Sequence, residues 1–195
     1  GGNVVFQNSL WVGGDLELGG SATANFNSNV RVGNDIDLGS SGDVNFGGTI
    51  FAGNDFSCSG SRSVYINDDM YIGGDLSLGG SSRIVGGYNI IVMGDDIGLS
   101  GATKITDTGE IPFLLAPNGD FNISGSGYAS AAVYAPQSNT TISGSADLYG
   151  SIIASTVTVS GSGVIEYPPG LENRDDLPGS GGEGGLTVLS YDIHN

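Results

Sequence analysis

Five aspartates recur at the same place in a repeated phrase, and evenly spaced carboxylates are the pattern in this chain best suited to chemistry. Gly13-Gly14-Asp15-Leu16-Glu17-Leu18 is followed by Gly33-Asn34-Asp35-Ile36-Asp37-Leu38 and Gly53-Asn54-Asp55-Phe56-Ser57-Cys58. The phrase returns as Gly73-Gly74-Asp75-Leu76-Ser77-Leu78 and Gly94-Asp95-Asp96-Ile97-Gly98-Leu99. The leading glycines stand 20, 20, 20 and 21 residues apart. If each phrase occupies one coil of a stack, Asp15, Asp35, Asp55, Asp75 and Asp96 form a file of carboxylates about 4.8 Å apart. Charges that close repel unless something compensates. Each aspartate can accept backbone N–H groups at its own turn, as in Asx-turns. Alternatively, calcium ions lie between the coils, since hard cations take several oxygen ligands. The spacing differs from the nonapeptide calcium repeats of secreted β-rolls. Turn capping is therefore the reading adopted: no cofactor is expected, and calcium is the alternative.

A second file accompanies the first. Trp11, Arg31, Phe51, Tyr71 and Val92 fall at an outward position, a candidate face for a ligand or partner such as sugar rings or protein subunits. Simple ladder packing of aromatics on adjacent strands is the structural alternative. Arg62, Arg83 and Lys104 stand 21 residues apart, spaced for a basic stripe that balances the surrounding acids. Cys58 takes the place that leucine holds in other repeats and reads as a small buried apolar residue. His194, the single histidine, is next to the C-terminus, and no Ser/His/Asp set, metal-ligand cluster or phosphate-cradling loop is visible. The chain is not expected to be an enzyme.

These residues need elements to hold them in register. Val30-Arg31-Val32 alternates, Gly33-Asn34 breaks, Asp35 to Leu38 alternates, Gly39-Ser40-Ser41-Gly42 breaks, and Asp43 to Phe46 alternates. Three short period-2 strands joined by three turns make one triangular coil. A fixed period in this range marks a solenoid whose repeats bury their apolar sides only by stacking. The fold expected is all-β, a parallel β-solenoid with three strands per coil, right-handed as such connections generally are. Inward ladders run Leu16, Ile36, Phe56, Leu76, Ile97 and Leu18, Leu38, Cys58, Leu78, Leu99; Phe6, Phe26, Phe46 and Ile66 make a third.

The period loosens after Leu99, where Ile123-Ser124-Gly125, Ile142-Ser143-Gly144 and Val159-Ser160-Gly161 mark the same strand end. Glu110 to Pro117 reads as an inserted loop or a widened corner. The expected division is a solenoid over 1–163, a Pro/Gly-rich linker over 164–185 and a final strand over 186–195. In that strand Leu186, Val188, Leu189, Tyr191 and Ile193 would cap the rod or pair with another subunit.

The chain has 195 residues, 36 of them glycine, and a formal net charge of −16. Glycine placed periodically between apolar alternations is turn punctuation rather than a disordered linker. Binding to nucleic-acid phosphate draws on Lys and Arg, of which there are 5, so that partner is not expected. No apolar run is long enough to span a bilayer. Few lysines with many Ser, Thr, Asn and Gly suit an extracellular bacterial surface protein. The functional expectation is a structural or adhesive module, with a polysaccharide-binding or polysaccharide-cleaving β-helix as the alternative.

The C-terminal half also carries a likeness. Phe121-Asn122-Ile123-Ser124-Gly125-Ser126-Gly127, Val133-Tyr134-Ala135-Pro136, the run from Thr141 to Ala154, and Gly184-Gly185-Leu186-Thr187-Val188-Leu189-Ser190-Tyr191 together resemble the C-terminal domain of PilX-like pilus-assembly proteins. That resemblance implies a secreted, surface-exposed ectodomain carried on a pilin-like N-terminal helix. The first five coils resemble bactofilins, cytoskeletal β-helices that polymerise end to end, which implies self-association.

Overall fold

The computed structural model describes residues 2–86, 88–106, 111–169 and 171. Strands begin with Asn3–Phe6, Leu10–Val12 and Leu16–Leu18, and that triplet repeats as Thr23–Phe26, Val30–Val32 and Ile36–Leu38 and onward. Each strand pairs in parallel with its counterpart one coil away: Leu16↔Ile36↔Phe56↔Leu76↔Ile97↔Phe121 is one continuous column. The result is an all-β parallel solenoid of about eight coils, about 20 residues each.

The sequence builds this shape because an apolar residue occupies every second strand position, so one side of each strand faces the rod's interior. Ile36, Leu38, Phe56, Leu76 and Ile97 have no exposed surface, and Phe26, Phe46 and Ile66 are as deeply placed. Phe6, Phe26 and Phe46 stack with ring centroids 5.0 Å apart, the interval between coils. One corner of every coil needs a left-handed backbone, and Gly20, Gly60, Gly80, Gly101, Gly125, Gly144 and Gly161 supply it with φ between 67° and 87°. Ser40 takes the same corner at φ 71°.

Two features depart from the expected layout. Phe113–Leu115, inside the segment read as an inserted loop, is a strand of the ladder, pairing Leu114 with Ile90 and Leu115 with Ile91. Its apolar side chains earn burial against the preceding coil, so the extra residues of this coil fall before it. The last coils then abandon short strands: Tyr128–Ile142 and Asp147–Val159 run as strands of 15 and 13 residues that pair with each other. Pairing continues to Ile165–Glu166, which lies against Leu148–Tyr149.

Candidate functional site

The aspartate column is not a set of separate turn caps. The backbone N–H of Asp35 donates to Asp15 Oδ1 at 3.3 Å, that of Asp55 to Asp35 Oδ1 at 3.1 Å, and that of Asp75 to Asp55 Oδ1 at 2.9 Å. The relay goes on from Asp96 N–H to Asp75 Oδ1 at 2.8 Å, from Asp120 N–H to Asp96 Oδ1 at 2.7 Å, and from Asn139 N–H to Asp120 Oδ1 at 2.8 Å. Each carboxylate therefore reaches the next coil rather than its own turn, which corrects the expected direction. The reason is geometric: the coil above presents its corner N–H one strand spacing away, where no backbone acceptor meets it. In return the aspartate carbonyl accepts from the coil below, as Leu16 N–H to Asp35 O at 2.9 Å shows. Charge-assisted bonds of this kind are stronger than neutral ones. Among the described residues, no group of three or more His, Cys, Asp or Glu side chains is arranged to hold a metal ion.

Asp120 extends the file beyond the five aspartates read from the phrase, and a second corner uses the same device. There Thr49 N–H donates to Asn29 Oδ1 at 3.2 Å and Asn89 N–H to Asp69 Oδ1 at 3.0 Å. Asp120 was detectable, because it precedes Phe121 as Asp96 precedes Ile97, but the altered interval hid it.

The outward column keeps four of its five expected members. Trp11, Arg31, Phe51 and Tyr71 are in register, and Ile91 follows where Val92 was expected. Val92 points inward and is buried, because the extra residue of this coil is Met93, after the strand, not before it. Leu115, Tyr134 and Ile153 carry the column to the last coil. Arg31 Cζ lies 5.7 Å from the Trp11 ring centroid and 5.7 Å from that of Phe51, a guanidinium between two aromatic faces. Phe51 and Tyr71 stack at 5.0 Å with 11° between planes. The ring faces are thus used within the ladder and the edges look outward, except at Trp11, which is 79% exposed.

Arg62 overturns the basic stripe. Ser63, Arg83 and Lys104 share one outward register, and Arg62 is one residue short of it. A one-residue offset in a strand turns the side chain to the other face. Arg62 accordingly points into the rod with no exposed surface. Its Nε donates to Gly39 O at 3.0 Å, Nη1 to Ala22 O at 3.0 Å, and Nη2 to Leu18 O at 3.2 Å, Gly20 O at 3.2 Å and Gly39 O at 2.7 Å. The guanidinium binds carbonyls of two successive corners from inside, a strap across the coils. Cys58 sits nearby, and burial pushes its thiol up from 9.0 to about 11, against smaller opposing effects of the Ser82 hydroxyl and the Arg62 charge. It stays a neutral core group, not a nucleophile.

The candidate assembly strand, with Leu186, Val188, Leu189, Tyr191 and Ile193, lies outside the described residues, as do His194 and most of the expected linker. No helix among the described residues is long and apolar enough to cross a membrane.

Comparison with known proteins adds one finding. A family model described as a domain of unknown function, DUF7305, matches residues 11–174. No curated protein and no solved structure matches the chain.

Proposed function

This chain belongs to the DUF7305 family, and we propose that it is a non-catalytic structural module of the bacterial cell surface, extracellular and pilus-associated, used for adhesion or for building filaments. The observation that supports this reading is where the polar chemistry goes. The carboxylates of Asp15, Asp35, Asp55, Asp75, Asp96 and Asp120 are each bonded to the next coil, and Arg62 is spent on four backbone carbonyl groups. Side chains committed to joining coils make a stiff rod rather than a reacting centre. Length and rigidity are what a surface spacer or filament subunit requires, and an acidic surface keeps it soluble.

The glycan reading rests on Trp11, whose exposed ring is able to stack on a sugar. A panel of surface polysaccharides separates the two. Binding without turnover, lost in Trp11→Ala, supports adhesion; release of any product overturns the structural reading. Immunogold labelling of intact cells tests the location, and signal confined to the cell interior would overturn it.

A further inference from the structure

Arg31 is held between two aromatic rings and Arg62 is buried in the rod, whereas Arg83 and Lys104 are exposed. These two stand directly opposite each other on neighbouring coils, about 4.8 Å apart along the rod. Like charges so placed destabilise a sheet, and their surroundings do little to relieve them. The outward column reads Asp43, Ser63, Arg83, Lys104, Tyr128 and Asp147. Its acids therefore begin two coil steps, about 10 Å, from the nearer cation. That is about a Debye length in physiological salt, where attraction between exposed charges is largely screened. The companion column of the same face holds Asn45, Tyr65, Val85 and Thr106, with no charge. At the adjoining corner Asp68 accepts from Thr49 Oγ1 at 2.8 Å and Asp69 from Asn89 N–H at 3.0 Å. Arg83 donates from Nε to Ser63 Oγ at 2.9 Å, which holds its guanidinium along the column. We propose that Arg83 and Lys104 bind the carboxylate of an acidic polysaccharide laid along this face, with Tyr65 and Tyr128 stacking on its sugar rings.

A carboxylate between the two cations removes their repulsion and gains a charge-assisted contact from each. The rings and the flatness of the face choose what carries that carboxylate. Tyr65 and Tyr128 are both half-buried and lie on either side of the cation pair, three coil steps or about 14 Å apart. A half-buried tyrosine offers an apolar ring with a polar tip, suited to the mixed surface of a sugar. A linear trisaccharide covers that length. A peptide is a poorer fit, because it binds a sheet through an open edge. The strands Ser63–Ile66, Arg83–Val85 and Lys104–Thr106 are paired on both sides and offer no edge. Nucleic acid is a poorer fit still, since its phosphates call on many cations and here meet two on a chain of net charge −16. A sugar chain with a single carboxylate at the cation pair needs neither. The site is on a different face from Trp11, whose column runs through Leu10–Val12 and Val30–Val32.

The choice of a polysaccharide rests on reading the rod as an adhesive surface module, but the site is tested in solution, and its failure leaves the cellular location untouched. Titration calorimetry of the full chain with trigalacturonate should show one site whose affinity falls as salt rises. Fully methyl-esterified trigalacturonate has the same rings without the charge and should bind far more weakly, as should citrate, which has carboxylates without a ring. Arg83→Gln and Lys104→Gln should each weaken binding about 3- to 5-fold, the size of one exposed charge pair, and the double variant R83Q/K104Q at least about 10-fold. Both side chains are exposed, so the melting temperature should hold or rise as their repulsion is removed. Tyr65→Ala should also weaken binding, whereas Trp11→Ala should leave it unchanged. Absence of binding at millimolar trigalacturonate overturns the proposal, as does full binding by the double variant. Equal binding of the methyl ester shows that the charge is not read, and equal binding of citrate shows that the sugar is not; either overturns it. Loss of binding in Trp11→Ala overturns the assigned face.

Discussion

Between Asn3 and Thr106 each coil is made of strands of three or four residues broken at every corner, whereas Tyr128–Ile142 and Asp147–Val159 each round corners without leaving strand and are parted at the glycine corner between them. The interiors differ in step. Early coils are filled by Phe26, Phe46, Phe56, Met70 and Leu76; the long strand Tyr128–Ile142 contributes Ala129 and Ala131 beside Val133 and Ile142. Large inward side chains hold the three faces apart and leave the corners to sharp, glycine-rich turns. Ala129 and Ala131 need less room beside the first corner of that strand, so the backbone can bend gradually there and keep its ladder bonds. Two corners survive the change: the left-handed glycine at Gly125, Gly144 and Gly161, and the relay that enters at Asp120 and Asn139. Those are the corners that carry a specific bond or dihedral.

The largest effect is expected in the early coils. Leu76 has no exposed surface and lies between Phe56 and Ile97. Leu76→Asp buries a charge with nothing to pair it, a change that costs several kcal/mol and exceeds what one domain can spare. Loss of a cooperative thermal transition is the expected outcome. A variant that melts like the parent would show that the column is not core.

Second comes the Arg62 strap of the early coils. Arg62→Met keeps the stem and removes the donors from the carbonyls of Leu18, Ala22 and Gly39, while Gly20 O keeps the N–H of Ser41. With an unsatisfied buried polar group costing about 1–3 kcal/mol, a total near 3–5 kcal/mol is expected by chemical denaturation. Hydrogen exchange should locate the opening at the corners of residues 18–22 and 39–42. Unchanged stability would mean that water replaces the guanidinium.

How much of this was legible follows from particular residues. The core ladders were, because alternation and a 20-residue period place Leu16, Ile36, Phe56 and Leu76 without knowledge of anything else. Arg62 was misplaced since a 21-residue interval to Arg83 looks like register when the local period is 20. In a strand that single residue exchanges inside for outside. Val92 failed for the same reason, with Met93 as the added residue. The relay's direction was not legible, because Asp before an apolar pair is equally consistent with a bond to its own turn or to the neighbouring coil. The long late strands were masked by Ala, Ser and Gly, which carry weak β-preference and acquire their conformation from the coil they pair with.

The relay itself ranks third, and it is set against a lone aspartate bond at another corner near the end of the stack. Asp75 is partly buried and joins Asp55 to Asp96; Asp147, exposed, holds only Val164 N–H at 3.0 Å. Asp75→Ala should cost about 1–2 kcal/mol, as expected for loss of a charge-assisted bond that is partly solvated. Asp147→Ala should cost less than half as much. Chelator should leave both the parent and its melting temperature unchanged; a loss restored by calcium would move the column from hydrogen bonding to metal binding.

The smallest effects are gains, one in each half, at the single places where each departs from its own rule. Ser40 is the non-glycine residue in the left-handed corner, at φ 71°. A side chain in that conformation costs roughly 1 kcal/mol, so Ser40→Gly trades this strain against the greater freedom of glycine in the unfolded chain. The net gain expected is about 0.5 kcal/mol by those two magnitudes. In the late coils, Thr140 stands in the core column between Phe121 and Val157, and its hydroxyl is buried without a hydrogen-bond partner. Valine has the same shape and nothing to desolvate, so Thr140→Val should stabilise by about 1 kcal/mol. The two sites are far apart along the rod and share no partner, so the double variant should show the sum. A destabilised Thr140→Val would mean that the hydroxyl has a partner, such as a bound water, and that the late core is wetter than its apolar lining suggests.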